Sequence, residues 1–169
     1  MTSAITVREV RPEEYDRLAE LTVAAYVRLL GDDLDRGYVA ELADVADRAA
    51  KVDVLVATDE RGLVVGGITY IAGPGPLAWF DGDDVVGLRM LAVAPEAQRR
   101  GVGAALIAAC VERARAAGKR RILLHTTDPM TTAHRLYERS GFRRDPERDE
   151  VFGAGLRLLA YAMELAPGQ

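Results

Sequence analysis

The sequence predicts a mixed α/β domain: a twisted, mostly antiparallel sheet of about six to seven strands, with helices on both faces. Three observations lead there. Two β-branched runs flank Asp59-Glu60-Arg61-Gly62, which reads as a β-hairpin. A strand, a glycine-bearing loop, a helix and a second strand follow one another from Val85 to His125, which implies one parallel pair. Elsewhere apolar residues recur at helical spacing between start and stop signals.

Each element follows in order. Residues Ile5 to Val10 alternate as a short strand. Arg11-Pro12-Glu13-Glu14 opens a helix, because a fixed proline φ and acidic side chains both suit a first turn. Tyr15, Leu18, Thr22, Ala25 and Leu29 continue it, and Gly31-Asp32-Asp33 ends it. One second helix carries Tyr38, Leu42, Val45 and Ala49 on a single face. The hairpin comes next. Gly73-Pro74-Gly75-Pro76 then starts a loop that runs to Asp84, and Val85 to Val93 is a strand ended by Pro95.

A helix is expected from Val102 to Ala117, burying Leu106, Ile107, Cys110, Val111 and Ala114, with Gly118 suited to a left-handed stop. Residues 120–127 read as a strand. Asp128-Pro129 is an N-cap and first-turn proline for a helix running to Ser140, and Gly141 ends it. Phe142 to Arg144 and Leu156 to Leu165 are the closing strands.

Length and composition narrow the function. A chain of 169 residues without repeats or linkers reads as one domain, residues 1–169, with a sizeable core. A net charge of -4 argues against a nucleic-acid binder that relies on bulk positive charge. The single cysteine, Cys110, excludes an internal disulfide and fits a reducing, cytoplasmic setting. No signal-like segment and no apolar run of bilayer length is present, so a membrane partner is not expected. Cys110, His125 and His134 match no zinc-ligand spacing, and no metal is expected. His125, at a strand end, reads as a hydrogen-bonding residue and a candidate proton relay.

The chemistry concentrates in "AVAPEAQRRGVGAALIAACVERARAAG". A helix starting near Val102 has unpaired N–H groups in its first turn, and its dipole favours an anion there by about 0.3–1 kcal/mol. Gly101 and Gly103 leave the main chain open to close approach, and Arg99 and Arg100 add charge-assisted donors. The result is a phosphate or pyrophosphate cradle. It is not a Walker loop, since no Lys-Ser/Thr pair follows the glycines. It fits a dinucleotide fingerprint poorly, since Leu106 stands at the third glycine and Ala94 to Arg100 separate the strand from the glycines.

Gln98-Arg99-Arg100-Gly101-Val102-Gly103 matches the Gln/Arg-x-x-Gly-x-Gly/Ala signature of the GNAT acyltransferases, and "AHRLYERSGF" resembles that family's second motif. "LRMLAVAP" stands where the family has its strand before the loop, with one helix and one strand between the motifs. The resemblance covers nearly the whole chain and is strongest from Val85 to Phe142. It implies the GNAT fold and an acetyl-CoA or other short acyl-CoA co-substrate. By this resemblance Gln98, Arg99, Arg100, Gly101, Val102, Gly103 and Ala104 hold the pyrophosphate. The backbone of Leu91, Ala92 and Val93 pairs with the pantetheine arm, in the manner of an added strand. Ala133 opens the second motif and joins the cofactor contacts.

The implied reaction is direct acyl transfer to an amine. An ordinary lysine-like amine has a pKa of about 10.4, so about one in a thousand is neutral near pH 7 and a proton must be removed. Tyr137 holds the motif position that the family places near the thioester sulfur, as the acid for the departing thiolate. A main-chain N–H near Leu91 or Ala92 would meet the developing oxyanion. Two departures from the family pattern stand out. Val85 to Val93 carries no carboxylate base, only Arg89, with Asp83 and Asp84 just before it; the base is unassigned. Met130 replaces the asparagine often found three residues before the alanine.

Three residues are candidates for acceptor binding. Arg89 is either a structural partner in the strand or a clamp for a substrate carboxylate. Trp79 and Phe80, in the long loop, either line an acceptor pocket or pack. The acceptor region is expected from the first two helices, the 73–84 loop and the last strands. Two other functions remain open: a non-catalytic acyl-CoA-binding sensor, and an acetyltransferase acting on a macromolecule such as a protein N-terminus or an aminoacyl-tRNA. The charge balance disfavours nucleic acid, and a homodimer is compatible with the sequence.

Overall fold

The computed structural model describes residues 4–153 and 155–166. Its strands form an eight-stranded mixed sheet, and among the described pairings only one is parallel. The chain divides into two compact units, Met1–Tyr70 with Met90–Ala109, and Ile71–Arg89 with Cys110–Gln169.

The first unit holds β1 (Thr6–Glu9), α1 (Tyr15–Leu30), α2 (Arg36–Ala43), α3 (Val45–Lys51), β2 (Asp53–Thr58) and all but the last residue of β3 (Val64–Ile71). β1 pairs antiparallel with β2, and β2 with β3 across the expected hairpin. Leu18, Leu21, Thr22 and Ala25 form the buried stripe of α1. Leu18 joins Val45, Val54, Val56 and Val64 in a small core. Gly67 lets α1 come close: a Cβ there would lie 2.5 Å from a Leu18 methyl carbon.

Two local readings in this unit need correction. The first helix does not begin at Pro12. Pro12–Glu14 is a 3₁₀ turn, held because the Glu14 carboxylate takes two bonds from Arg8 at 2.7 and 2.8 Å and one from the Arg11 N–H at 2.9 Å. The second helix is two helices. Asp44 leaves helical geometry at ψ 69°, and its carboxylate caps α3 by accepting from the Asp47 N–H at 3.1 Å. Buried Arg48 then donates to the Glu41 and Leu42 carbonyls, which closes the end of α2.

The second unit holds β5 (Arg121–Thr127), α5 (Thr131–Arg139), β6 (Arg143–Arg144), β7 (Glu150–Phe152) and β8 (Leu156–Glu164). β4 (Val85–Val93) starts in this unit and ends in the first, while α4 (Val102–Ala116) starts in the first and ends here. β4 pairs parallel with β5 from Val85↔Arg121 to Leu88↔Leu124, as the crossover requires. β5 pairs antiparallel with β8 over seven positions. β7 brings the strands to eight. It is three exposed residues long, too short to show alternation in the sequence. α5 starts at Thr131, not directly after Asp128, because the Met130 N–H first closes a turn onto the Thr127 carbonyl at 3.1 Å. Gly118, at φ 72°, stops α4 as expected. Cys110 is fully buried.

Candidate active site

In the first unit, the chain leaves β4 through a single 3₁₀ turn, Pro95–Ala97. The Ala94 N–H donates to the Val65 carbonyl at 2.8 Å, which fixes the start of the loop. Arg99 and Gly101 then both take left-handed backbone, at φ 67° and 78°. That reversal delivers the chain into α4, whose first anchoring bond runs from the Ala105 N–H to the Gly101 carbonyl at 2.9 Å. The N–H groups of Val102, Gly103 and Ala104 come before that bond and have no carbonyl partner among the described bonds. Gln98, Arg99, Arg100 and Gly101 are exposed. No atom lies within 4 Å of where a Gly101 Cβ would stand, so the space is open. Gly66 of β3 seats the helix: a Cβ there would fall 2.8 Å from a Val102 methyl and 3.0 Å from the Ala92 carbonyl oxygen. Free amides, two guanidinium groups and a helix N-terminus form a donor set that suits a diphosphate.

Met90, just before Leu91, also has left-handed backbone, at φ 59°. No glycine marks it, so the sequence gives no sign of the kink. Leu91 and Val93 are half-buried, and Ala92 between them is buried.

In the second unit, Tyr137 lies on α5 and is only 7% exposed. Its ring meets Phe142 edge-on at 6.0 Å and Tyr161 at 5.9 Å. Burial raises the phenol well above its ordinary pKa, so it stays neutral and able to donate. His134 Nε2 donates to the Thr127 carbonyl at 2.7 Å, tying α5 to the end of β5. Ala133 is half-buried beside it. Met130 caps α5 without a side-chain bond to the backbone, and its sulfur accepts from the Thr126 hydroxyl at 3.6 Å.

The same unit contains a cavity of about 290 Å³. Trp79, Phe80 and Tyr161 give it aromatic walls, and Asp81, His125, Arg148 and Glu150 contribute the polar groups. Trp79 and Phe80 pack edge to face at 5.4 Å. They lie against β4 because Gly87 has no side chain: a Cβ there would sit 2.5 Å from Phe80 and 2.8 Å from Trp79. The loop that carries them is tied at both ends. Lys119 donates to the Ala72 and Asp83 carbonyls, and the Arg120 N–H donates to the Asp84 carbonyl at 2.8 Å. Arg89 reaches the Leu77 carbonyl of that loop at 3.4 Å.

His125 Nε2 lies 3.0 Å from the Arg148 carbonyl oxygen. A carbonyl only accepts, so Nε2 carries the hydrogen and the neutral ring keeps its lone pair on Nδ1. Trp79 lies against this imidazole, with ring centroids 5.5 Å apart. Arg148 pairs with Asp145 at 2.7 Å. Arg144 holds Asp149 with two bonds of 2.7 and 2.8 Å and lies 5.6 Å from the centre of the Tyr161 ring. That guanidinium, with the Ala160 N–H, lowers the Asp149 carboxyl to about 2.

The structure thus gathers Gln98 to Ala104 at one helix mouth, and Trp79 and Phe80 at one cavity. Sequence reasoning missed Asp81, Arg148, Glu150 and Tyr161 as cavity residues. Only Tyr161 had a usable signal, as an aromatic in the last strand opposite Leu124. Among the described residues, no group of three or more His, Cys, Asp or Glu side chains is placed to hold a metal ion. No described helix is long and apolar enough to cross a membrane.

A helix mouth with open amides follows the kinked strand, and the tyrosine of the second motif is buried on α5. The chain belongs to the acetyltransferase (GNAT) family, whose model matches residues 15–142. It is an acetyl-CoA-dependent N-acetyltransferase. Solved structures share the fold. A GNAT-family acetyltransferase from Staphylococcus aureus Mu50 superposes with a TM-score of 0.75 at 18% identity, covering 96% of this chain and 100% of that one. A Salmonella typhimurium structure with its cofactor acetyl-CoA gives 0.68 at 23% identity, covering 99% and 97%. A ribosomal-protein-alanine N-acetyltransferase from Brucella melitensis gives 0.68 at 23%, covering 95% and 99%. No curated protein matches the sequence.

Proposed function

We propose that residues 1–169 act as one domain that moves an acetyl or similar short acyl group onto a primary amine by direct attack. The observation that carries this is the helix mouth at Val102 to Ala104, with open amides behind the exposed side chains of Arg99 and Arg100. When bound, acetyl-CoA supplies a thioester carbon open to a neutral amine.

The chain's own groups have separate tasks. The amides of Gly101 to Ala104 and the Arg99 and Arg100 guanidinium groups hold the diphosphate. The peptide groups of Leu91, Ala92 and Val93 orient the pantetheine arm, and an N–H there receives the developing oxyanion. Tyr137, kept neutral by burial, donates its proton to the departing sulfur. A cytoplasmic setting agrees with the one buried cysteine.

Titration calorimetry with acetyl-CoA, paired with a free-thiol release screen over amines, amino acids and peptides, tests this. Binding lost on Arg99→Ala/Arg100→Ala, and thiol release with at least one amine, are expected. No complex with acetyl-CoA would overturn the reading, and binding without turnover on any amine would leave a sensor rather than an enzyme.

A further inference from the structure

We propose that the cavity between Trp79, Phe80 and Tyr161 binds a small primary amine with a flat apolar body, and that His125 Nδ1 takes the proton this amine must lose. The inference deepens the N-acetyltransferase reading above and rests on it.

Size comes first. A cavity of about 290 Å³ lies at the small end of ligand pockets. Its walls come next. The Trp79 and Phe80 rings stand at 86° to each other, and Tyr161 adds a third face, so a planar apolar body finds ring surface to cover. Charge settles the polar end. Asp81 and Glu150 form no side-chain hydrogen bond or ion pair among the described residues, whereas Arg148 already faces Asp145 at 2.7 Å. The lining therefore favours a cation over an acid. Arg89, the residue that could have held a substrate carboxylate, reaches the Leu77 carbonyl and is not among the lining residues.

His125 supplies the missing base. β4 carries no carboxylate. The imidazole is the lining group with a basic ring nitrogen. Its Nε2–H is committed to the Arg148 carbonyl, and Trp79 fixes the ring plane, so Nδ1 is the free basic atom. The proton passes from the ammonium nitrogen to Nδ1. The freed pair forms the N–C bond as the C–S bond breaks, and the sulfur takes the bonding pair and the Tyr137 proton; the nitrogen's second proton passes through water to the Tyr137 oxygen, and the imidazolium returns the first to water. Tyr161 joins this cavity to Tyr137 through their ring contact.

The protein has one tryptophan, so its intrinsic fluorescence reports on Trp79. Phenethylamine, without acetyl-CoA, is expected to change that fluorescence saturably. 3-Phenylpropionate, which keeps the ring and reverses the charge, and n-butylamine, which lacks the ring, should each bind at least about tenfold more weakly.

In His125→Gln acetylation of phenethylamine should drop by about 10²-fold or more, with acetyl-CoA affinity unchanged. His125→Asn replaces it if the glutamine variant does not fold. No saturable response to phenethylamine, or an equal response to 3-phenylpropionate, overturns the cavity assignment, as does binding without acetylation. Turnover that survives in His125→Gln overturns the role of the imidazole. Acetyl-CoA binding, measured separately by calorimetry, shows whether the enzyme reading itself has failed.

Discussion

Tyr137 and Tyr161 lie ring against ring, with centroids 5.9 Å apart and planes tilted by 53°. The first is the tyrosine of the second sequence motif, and the second forms a wall of the cavity. Tyr137→Phe keeps both ring contacts and removes only the hydroxyl. Turnover is expected to fall by about 10²–10⁴-fold, with acetyl-CoA affinity unchanged within about twofold. Because burial raises the phenol, the wild-type rate should show no loss from phenolate formation up to about pH 10. Steady-state kinetics and calorimetry check both, and an unaltered turnover removes Tyr137 from the chemistry.

Two glycines near the helix mouth should respond differently to alanine. At Gly101 the added methyl meets nothing within 4 Å, but φ is 78°. Stability should drop by about 1–2 kcal/mol, and acetyl-CoA affinity by about tenfold as the amides turn away. At Gly66 the methyl strikes Val102 and the Ala92 carbonyl, so the cost, about 1–3 kcal/mol, comes from crowding. Urea unfolding beside acetyl-CoA titration separates the two variants: Gly101→Ala should lose more affinity for a given loss of stability.

Lys119 holds the Ala72 and Asp83 carbonyls with one ammonium. Lys119→Met should free the 73–84 loop that carries Trp79 and Phe80. The expected kinetic result is a KM for the acceptor raised about tenfold and a KM for acetyl-CoA left alone. Equal changes in both would show that the lysine serves general stability instead.

The Arg144–Asp149 pair sets a pH window for stability. The Asp149 carboxyl is lowered to about 2 by Arg144 and the Ala160 N–H, against an ordinary value of about 3.9 in the unfolded chain. A depressed carboxylate stabilises the fold above its unfolded value, and that gain disappears as pH falls through the folded value. The stability difference between wild type and Asp149→Asn should therefore be largest near neutral pH and shrink from about pH 4 to about pH 2. Urea melts across that range test it; a constant difference means the carboxylate's charge plays no part.

The sequence carried the helix mouth better than the cavity. Gln98 to Ala104 are contiguous, and the helix mouth they form follows from local rules of helix ends and glycine backbone, so order along the chain reveals it. The hairpin at Asp59 and the crossover from Val85 were legible for the same reason. The cavity is assembled from three separated stretches: the long loop, β5, and the segment from Arg148 through β8. Its β5 and β8 residues meet through strand pairing such as His125↔Ala160, and its loop residues join them by packing on Gly87, which no local pattern encodes. The kink at Met90 was hidden because a bulky residue holds a backbone shape that normally signals glycine. The break at Asp44 was hidden because Tyr38, Leu42, Val45 and Ala49 keep helical spacing across it.

The lysine anchor on the 73–84 loop has a consequence for how such an enzyme diversifies. With its two ends fixed by a single side chain from outside the segment, the stretch between them behaves as an interchangeable cassette. Its length and aromatic content can change while both attachment points stay where they are. New amine preferences could then arise by replacing roughly ten residues, with the helix mouth at Val102 and the sheet inherited intact.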